Sequence, residues 1–275
     1  MKKFIVPVDF SETSIHAARF AAKLTNGIGD AEIILYNVFD KIEAGEDGTP
    51  LESDDEGRKS VMELVLKSVK TDISNLTDAR ITTVAEEDDN FVDTLERYVR
   101  HNNIDIIVMG ITGATRLSQI VMGSNTLKVI RRKIAPVFII PPDAQFASAK
   151  NIAFISDFKD VDRTVPAEPL KKVLGMFNAG LHVLNIDSDH YIELTDEYKN
   201  EKAKLNEILK DFNPTYSFMR FYDFVDAIDS FVKDNNIDML VTVPKNDSLL
   251  SNFFKTTHTS KLAYHSHIPI IAVHS

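Results

Sequence analysis

The feature that most constrains the fold is a duplication. FVDTLERYVRHNNIDIIVMG, residues 91–110, matches FVDAIDSFVKDNNIDMLVTV, residues 224–243, at an offset of 133 positions. The match runs on without a gap to APVFII (135–140) and IPIIAV (268–273), each with a proline at its start. A second offset, 148, sets FIVPVDF (4–10) on IAFISDF (152–158), so that Asp9 falls on Asp157, and LYNV (35–38) on VLNI (183–186). A chain that repeats itself in this way is built from two like units. The change of offset means that the first half carries extra residues between these blocks. DKIEAGEDGTPLESDDEGRKS, residues 40–60, is acidic and lacks periodicity, and is expected to be an exposed insertion. The expected domains are 1–143 and 150–275, with the linker 144–149 inside the Pro/Ala/Ser stretch PPDAQFASAK.

Each half alternates strand and helix signals. KFIVPVD is a short apolar run rich in β-branched residues, the mark of a buried strand. SETSIHAARFAAKLTNG follows, with Ile15, Ala18, Ala21 and Ala22 at helical spacing. Ser11 fits an N-cap, and Ser14 stands near where a capping box would want an acid, so the box is absent. Gly27 fits the C-terminal stop. AEIILYNV is the next strand. After it come a helix around 59–76, a weaker strand RITTVAE, a helix FVDTLERYVRHN, the strand IDIIVMG and the strand PVFII. Such alternation implies βαβ units, right-handed crossovers and a parallel sheet. The expected fold is α/β: two tandem doubly wound, Rossmann-like domains, each with a five-stranded parallel sheet.

Composition excludes some functions. The net charge of −10 gives no global attraction for nucleic acid or an anionic membrane. No apolar run approaches the length of a membrane span. The opening MKKFIVPVDFSE breaks at Pro7 and Asp9, too early for a signal peptide. The chain has no cysteine, which suits a reducing compartment, and a cytoplasmic location is the expectation.

In open parallel sheets, ligands bind beyond the carboxyl ends of the strands where strand order reverses. Asp9 ends the first strand there. It can accept hydrogen bonds from a ribose hydroxyl or a base amine, or it can cap the following helix. VMGITGATRLSQIVMGSN, leaving the fourth strand, has the form G-x-x-G-x9-G-S and holds three of the chain's ten glycines, Gly110, Gly113 and Gly123. Glycine lets a ligand approach backbone without a Cβ in the way. Gly123-Ser124 precedes a helix, so the amides of Ser124, Asn125 and Thr126 are first-turn donors with the helix dipole behind them. A tight turn with Ser124 as a plain N-cap is the alternative; the spacing favours phosphate. There is no Walker lysine, and no G-x-G-x-x-G follows the first strand.

Other candidates are weaker. HSH (265–267) with His274 nearby lies at a helix end and lacks ligand partners at a recognised spacing, so no metal site is expected. DSDHYIELTDE (187–197) does not fit a calcium loop and reads as a solvated acidic loop. RRK (131–133) suits the last turn of a helix. FNPTYSFMRFYDF (212–224) alternates like a strand, with core packing or a partner or ligand surface as its use. No nucleophile elbow or Ser/His/Asp order is visible, and no catalytic residue is expected.

Together these residues resemble the universal stress protein family, over the whole chain as two tandem domains. IVPVDFSETSIHAARFAAKL, LYNV, DIIVMG and G-x-x-G-x9-G-[ST] with LKVIRRKIAPVFII behind it carry the resemblance. It implies ATP or another adenine nucleotide, with Mg, in the first domain. Pro7, Val8 and Asp9 would lie around adenine and ribose, and Val38 would offer backbone to the adenine edge. Met109, Gly110 and Gly113 would border the ribose and α-phosphate, and Gly123, Ser124, Asn125 and Thr126 would hold the phosphates. It also implies a role in stress adaptation and pairing of domains through the last strand, within one chain or in a homodimer. Arg116 is the one cation set in the motif, so at most a slow ATPase or phosphotransfer activity is expected; a nucleotide-free interaction module is the third reading. In the second half Gly110 becomes Val243, followed by Pro244, Gly113 becomes Asn246 and Gly123 becomes Thr256, while Thr257 replaces Ser124. The second domain is therefore expected not to bind ATP in the family manner.

Overall fold

The computed structural model describes residues 1–41, 55–111, 124–146, 148–186, 195–219, 224–244 and 268–274. The apolar run at the start forms β1 (Lys2–Pro7), buried from Phe4 onward. It leads into α1 (Glu12–Thr25), whose N-cap Ser11 accepts a hydrogen bond from the Ser14 amide. Gly27 is not used as a left-handed stop: the helix ends on Asn26 at φ −62, and Asp30 takes the positive φ. Then follow β2 (Ala31–Phe39), α2 (Asp55–Ile73), β3 (Arg80–Glu87), α3 (Phe91–Asn102), β4 (Ile106–Gly110), α4 (Ser124–Arg132) and β5 (Val137–Ile140). The second half contains β6 (Asn151–Ile155), α5 (Val161–Thr164), α6 (Ala167–Leu174), β7 (Gly180–Ile186), α7 (Asp196–Leu209), β8 (Thr215–Met219), α8 (Phe224–Asn235), β9 (Met239–Thr242) and β10 (Ile270–Ala272).

The chain is α/β with a mostly parallel sheet. Contacts divide it into two compact units, Met1–Gly110 with Ser124–Ala135, and Ile111–Gly123 with Pro136–Ser275. In the first, the strand order is β3-β2-β1-β4, all parallel. In the second, β8-β7-β6-β9 repeats that order, β10 lies parallel to β9, and β5 runs antiparallel to β10 with Ile139 opposite Ile270. The last strand of the first repeat thus belongs by its contacts to the second unit.

The repeated NNID motif has a mechanical use. Asn103 and Asn236 adopt left-handed φ of 50 and 49 and end α3 and α8, a conformation that asparagine tolerates. The next residues close the turn, Ile104 N–H to Val99 O at 3.1 Å and Ile237 N–H to Val232 O at 3.0 Å. The aspartate then hooks the start of the first strand. Asp105 Oδ2 accepts from the Lys3 amide at 2.8 Å. Asp238 Oδ2 accepts from the amides of Lys150 at 2.7 Å and Asn151 at 2.9 Å.

The halves differ after their first strand. Where the first has the 14-residue α1, the second has two short helices, separated at Val165-Pro166 with Pro169 in the first turn of α6. Proline lacks the N–H that a continuous helix would use.

Candidate functional site

The switch of strand order falls between β1 and β4, and the residues singled out in the sequence gather there and on β2. Pro7 and Val8 are buried at the end of β1, Val8 at 2% exposure. Continuing the pairing of Ile5 with Ile107 brings Pro7 level with Met109, buried in β4. The β1–β2 ladder ends at Pro7 and Tyr36, with one further bond from Val8 N–H to Tyr36 O at 2.8 Å. At that point β1 leaves the sheet, and Asn37, buried, donates its Nδ2 to the Val8 carbonyl at 2.7 Å. Because backbone groups alternate sides along a strand, Val38 turns its peptide toward the space that β1 vacates. The Asn37 Oδ1, buried beside it, has no hydrogen-bond partner.

Asp9 stands exposed at the lip. Its Oδ1 accepts from the Ser11 amide at 3.0 Å and the Ser11 hydroxyl at 2.5 Å. Burial pushes its carboxyl up most strongly, but donors from Ser11 and Ser14 together outweigh it and hold the group below its ordinary value. Asp9 therefore organises the turn into α1, with Phe10 at φ 64, and remains an acceptor at the site.

Gly110 ends β4 against the first turn of α1. A Cβ there would lie 2.4 Å from the Thr13 carbonyl oxygen. The glycine is thus required by helix packing whatever it does for a ligand. Thr126, buried in the first turn of α4, donates its hydroxyl to the Gly110 carbonyl at 3.3 Å. That bond docks the N-terminus of α4 on the end of β4, with Ser124 and Asn125 exposed. The far end of α4 is held by Arg132, which pairs with Asp93 and, at 2.8 Å, with Glu96 of α3. Arg131 and Arg132 lie in the last turn, as the dipole favours. Gly113, Gly123 and Arg116 lie outside the described residues, as do Asn246, Thr256, Thr257 and the HSH stretch.

Sequence reasoning missed the role of Asn37. Its signal was the asparagine shared by LYNV and VLNI. Asn185 donates Nδ2 to the Ser156 carbonyl at 2.8 Å, and Ser156 N–H bonds Leu184 O at 3.0 Å. Asp157 Oδ1 accepts from the Lys159 amide at 3.2 Å, and Phe158 has φ 48. The second half therefore repeats the corner at the end of its first strand. Of its aromatic stretch, Phe218 and Tyr216 lie 5.8 and 6.2 Å from the ring of Phe158, which also meets Tyr198 at 5.1 Å, while residues 220–223 lie outside the described residues. The Lys202 ammonium lies 4.8 Å over Tyr216 and 5.1 Å over Phe218. Of the acidic stretch 187–197, Thr195 is the N-cap of α7 and Asp196 and Glu197 fill its first turn. Among the described residues there is no group of three His, Asp or Glu placed to hold a metal, and no helix long and apolar enough to cross a membrane.

A model of the universal stress protein family matches residues 1–141. Two universal stress proteins of Methanocaldococcus jannaschii are similar to half of the chain. MJ0577 is 26% identical over 159 residues, 94% of its length, and MJ0531 is 30% identical over 148 residues, 81% of its length. The crystal structure of a universal stress protein from Archaeoglobus fulgidus matches the fold of the whole chain. It covers 99% of this chain and 98% of its own, with TM-score 0.69 and 17% identity.

Proposed function

Because the chain belongs to the universal stress protein family, which its match over residues 1–141 establishes, we propose that its first half binds ATP and that the protein acts as a nucleotide-dependent regulator in stress adaptation. The observation that carries this reading is the corner at the end of β1. Asn37 holds the Val8 carbonyl, and the Val38 peptide faces the gap between departing strands. A peptide edge of this kind suits the donor–acceptor edge of adenine, and the buried Asn37 Oδ1 is an acceptor left over at the same place. Asp9 accepts the ribose hydroxyls, and Pro7 and Met109 border the sugar. The first turn of α4, with Ser124, Asn125 and Thr126, supplies amides, hydroxyls and the positive end of a dipole to phosphate in an otherwise acidic protein. Gly110, Gly113 and Gly123 allow the backbone approach. Bound Mg would neutralise phosphate charge. The antiparallel pairing of β5 with β10 supports a reading in which the strand pairing implied by the family is met within one chain.

Regulation is favoured over turnover because Asp9, at the lip of the site, is already engaged by the Ser11 amide and hydroxyl. Native mass spectrometry of gently purified protein tests the reading. A retained adenine nucleotide is expected, with slow or no release of phosphate from Mg-ATP. A ligand-free chain that also gives no heat with Mg-ATP would overturn it.

A further inference from the structure

Apolar residues stand on two faces of α2. Leu66, Val69 and Ile73 are buried and serve the core. A second stripe is turned to solvent: Val61, Leu64 and Val65 are 54%, 67% and 37% exposed, three of the four large apolar side chains that are exposed among the described residues. A helix that buries one face needs one apolar stripe. Single exposed apolar residues are ordinary, but a contiguous group on one element is not. The second half supplies the comparison. α7, like α2, runs directly into a 3₁₀ turn, and aligning those turns sets Leu205 on Val69 and Leu209 on Ile73, all four buried. The same alignment puts Glu197, Asn200 and Glu201 where Val61, Leu64 and Val65 stand. The scaffold therefore requires the buried stripe and not the exposed one.

We propose that this face of α2 is an interface for a second copy of the chain, paired antiparallel across a two-fold axis. A two-fold interface must be complementary to itself, and this stripe is. Gly57, Ser60, Val61, Leu64, Val65 and Ser68 share one side of the helix. An axis passing between Met62 and Glu63 sets Val61 opposite the partner's Leu64, Ser60 opposite the partner's Val65 and Gly57 opposite the partner's Ser68. The apolar pairs fall at the centre, and the small residues at the ends let the helices approach. The Ser60 hydroxyl already donates to the Glu56 carbonyl at 2.7 Å, so burying it leaves no donor unpaired. Charge agrees with this register. Between the stripe and the core, Arg58 and Asp72 are neutralised within the chain by Glu87 at 3.2 Å and Arg19 at 2.5 Å. On the other border Glu56 and Lys67 are exposed. Antiparallel pairing brings Lys67 within one turn of the partner's Glu56, and symmetry makes that pair twice. Parallel pairing would instead set Glu56 on Glu56 and Lys67 on Lys67. Because the matching helix of the second half is polar at these positions, the assembly closes at two copies.

The test is analytical ultracentrifugation of the full chain over a range of concentrations. The parent is expected to pass from one chain to two with a micromolar dissociation constant, since one helix pair is smaller than a standing interface. Leu64→Glu, at an exposed position, is expected to weaken the dimer about tenfold or more and to keep the thermal midpoint of the dilute protein. Lys67→Glu is expected to weaken it about threefold, and the exchange Glu56→Lys with Lys67→Glu to restore it. A chain that stays single up to millimolar concentration overturns the proposal. So does a dimer equally tight in Leu64→Glu or, should that variant not fold, a charge exchange that binds no tighter than Lys67→Glu alone. The outcome is independent of whether the first half binds ATP, because no residue of the nucleotide reading lies on α2.

Discussion

Asn37 carries more of the site than its size suggests. It replaces a ladder bond at the point where β1 departs, and so sets both the Val8 carbonyl and the peptide that follows on β2. Asn37→Leu keeps the volume but leaves the Val8 carbonyl without its donor. It is expected to cost about 1–3 kcal/mol, read as a shift in the denaturation midpoint, and to weaken ATP binding as Val8 and Asp9 lose their anchor. A variant as stable as the parent would show that the carbonyl needs no partner. His182 gives a prediction in pH. Burial holds its imidazole below its ordinary value, near 6.5, beside the Phe231 ring at 6.0 Å. The unfolded chain therefore takes up this proton first as pH falls. Stability is full above about pH 6.5 and declines below it until the folded value is reached. His182→Leu should reduce the loss of midpoint between pH 7.5 and 5.5; an unchanged loss would assign it to other groups. At this scale the sequence made Asp9 and Gly110 legible as residues with special positions. It did not reveal that Gly110 is already demanded by the Thr13 carbonyl, because that contact spans elements far apart in the chain.

Elements were legible wherever local chemistry decides them. The apolar β-branched runs became β1, β2 and β4, and FVDTLERYVRHN became α3 at its expected bounds. They were not legible where a choice among neighbours decides: Asp30, not Gly27, takes the left-handed turn after α1, and the helix signal of the second half is cut at Pro166. The hook after α3 and α8 lies between these cases. Its NNID sequence repeats plainly, but its partner strand lies about a hundred residues away, Asp105 and Lys3 being 102 apart. Asp238 receives the amides of Lys150 and Asn151, and Asp105 that of Lys3. Hydrogen bonds to a charged acceptor are worth about 1.5–3 kcal/mol. Asp238→Ala should therefore lower the midpoint of chemical denaturation of the full chain by an amount of that order. A midpoint equal to the parent's would mean that water replaces the carboxylate at both amides.

Across the whole molecule, duplication has preserved the frame and divided the chemistry. Strand order, the asparagine at each corner and the aspartate hooks recur in both units. The glycines after the fourth strand do not. In the first unit β4 ends in Gly110, which admits the α1 backbone and sits under the hydroxyl of Thr126 at the start of α4. In the second, β9 is followed by Val243, 9% exposed, and Pro244, while the element after β6 is the four-residue α5 and not a long helix. Val243 puts a side chain where a phosphate would need to approach, whereas the amide that Pro244 lacks is one that Ile111 gives to the Ile140 carbonyl at 3.1 Å in the first half. Mg-ATP should thus saturate at one molecule per chain in a calorimetric titration. Replacing Val243 by glycine should leave that number unchanged, because Asn246 and Thr256 still stand where the first half has Gly113 and Gly123. Two equivalent ATP sites in the parent chain would show that the corner around Asp157 and Asn185 is sufficient without a glycine loop, and that the asymmetry between the halves has no bearing on nucleotide binding.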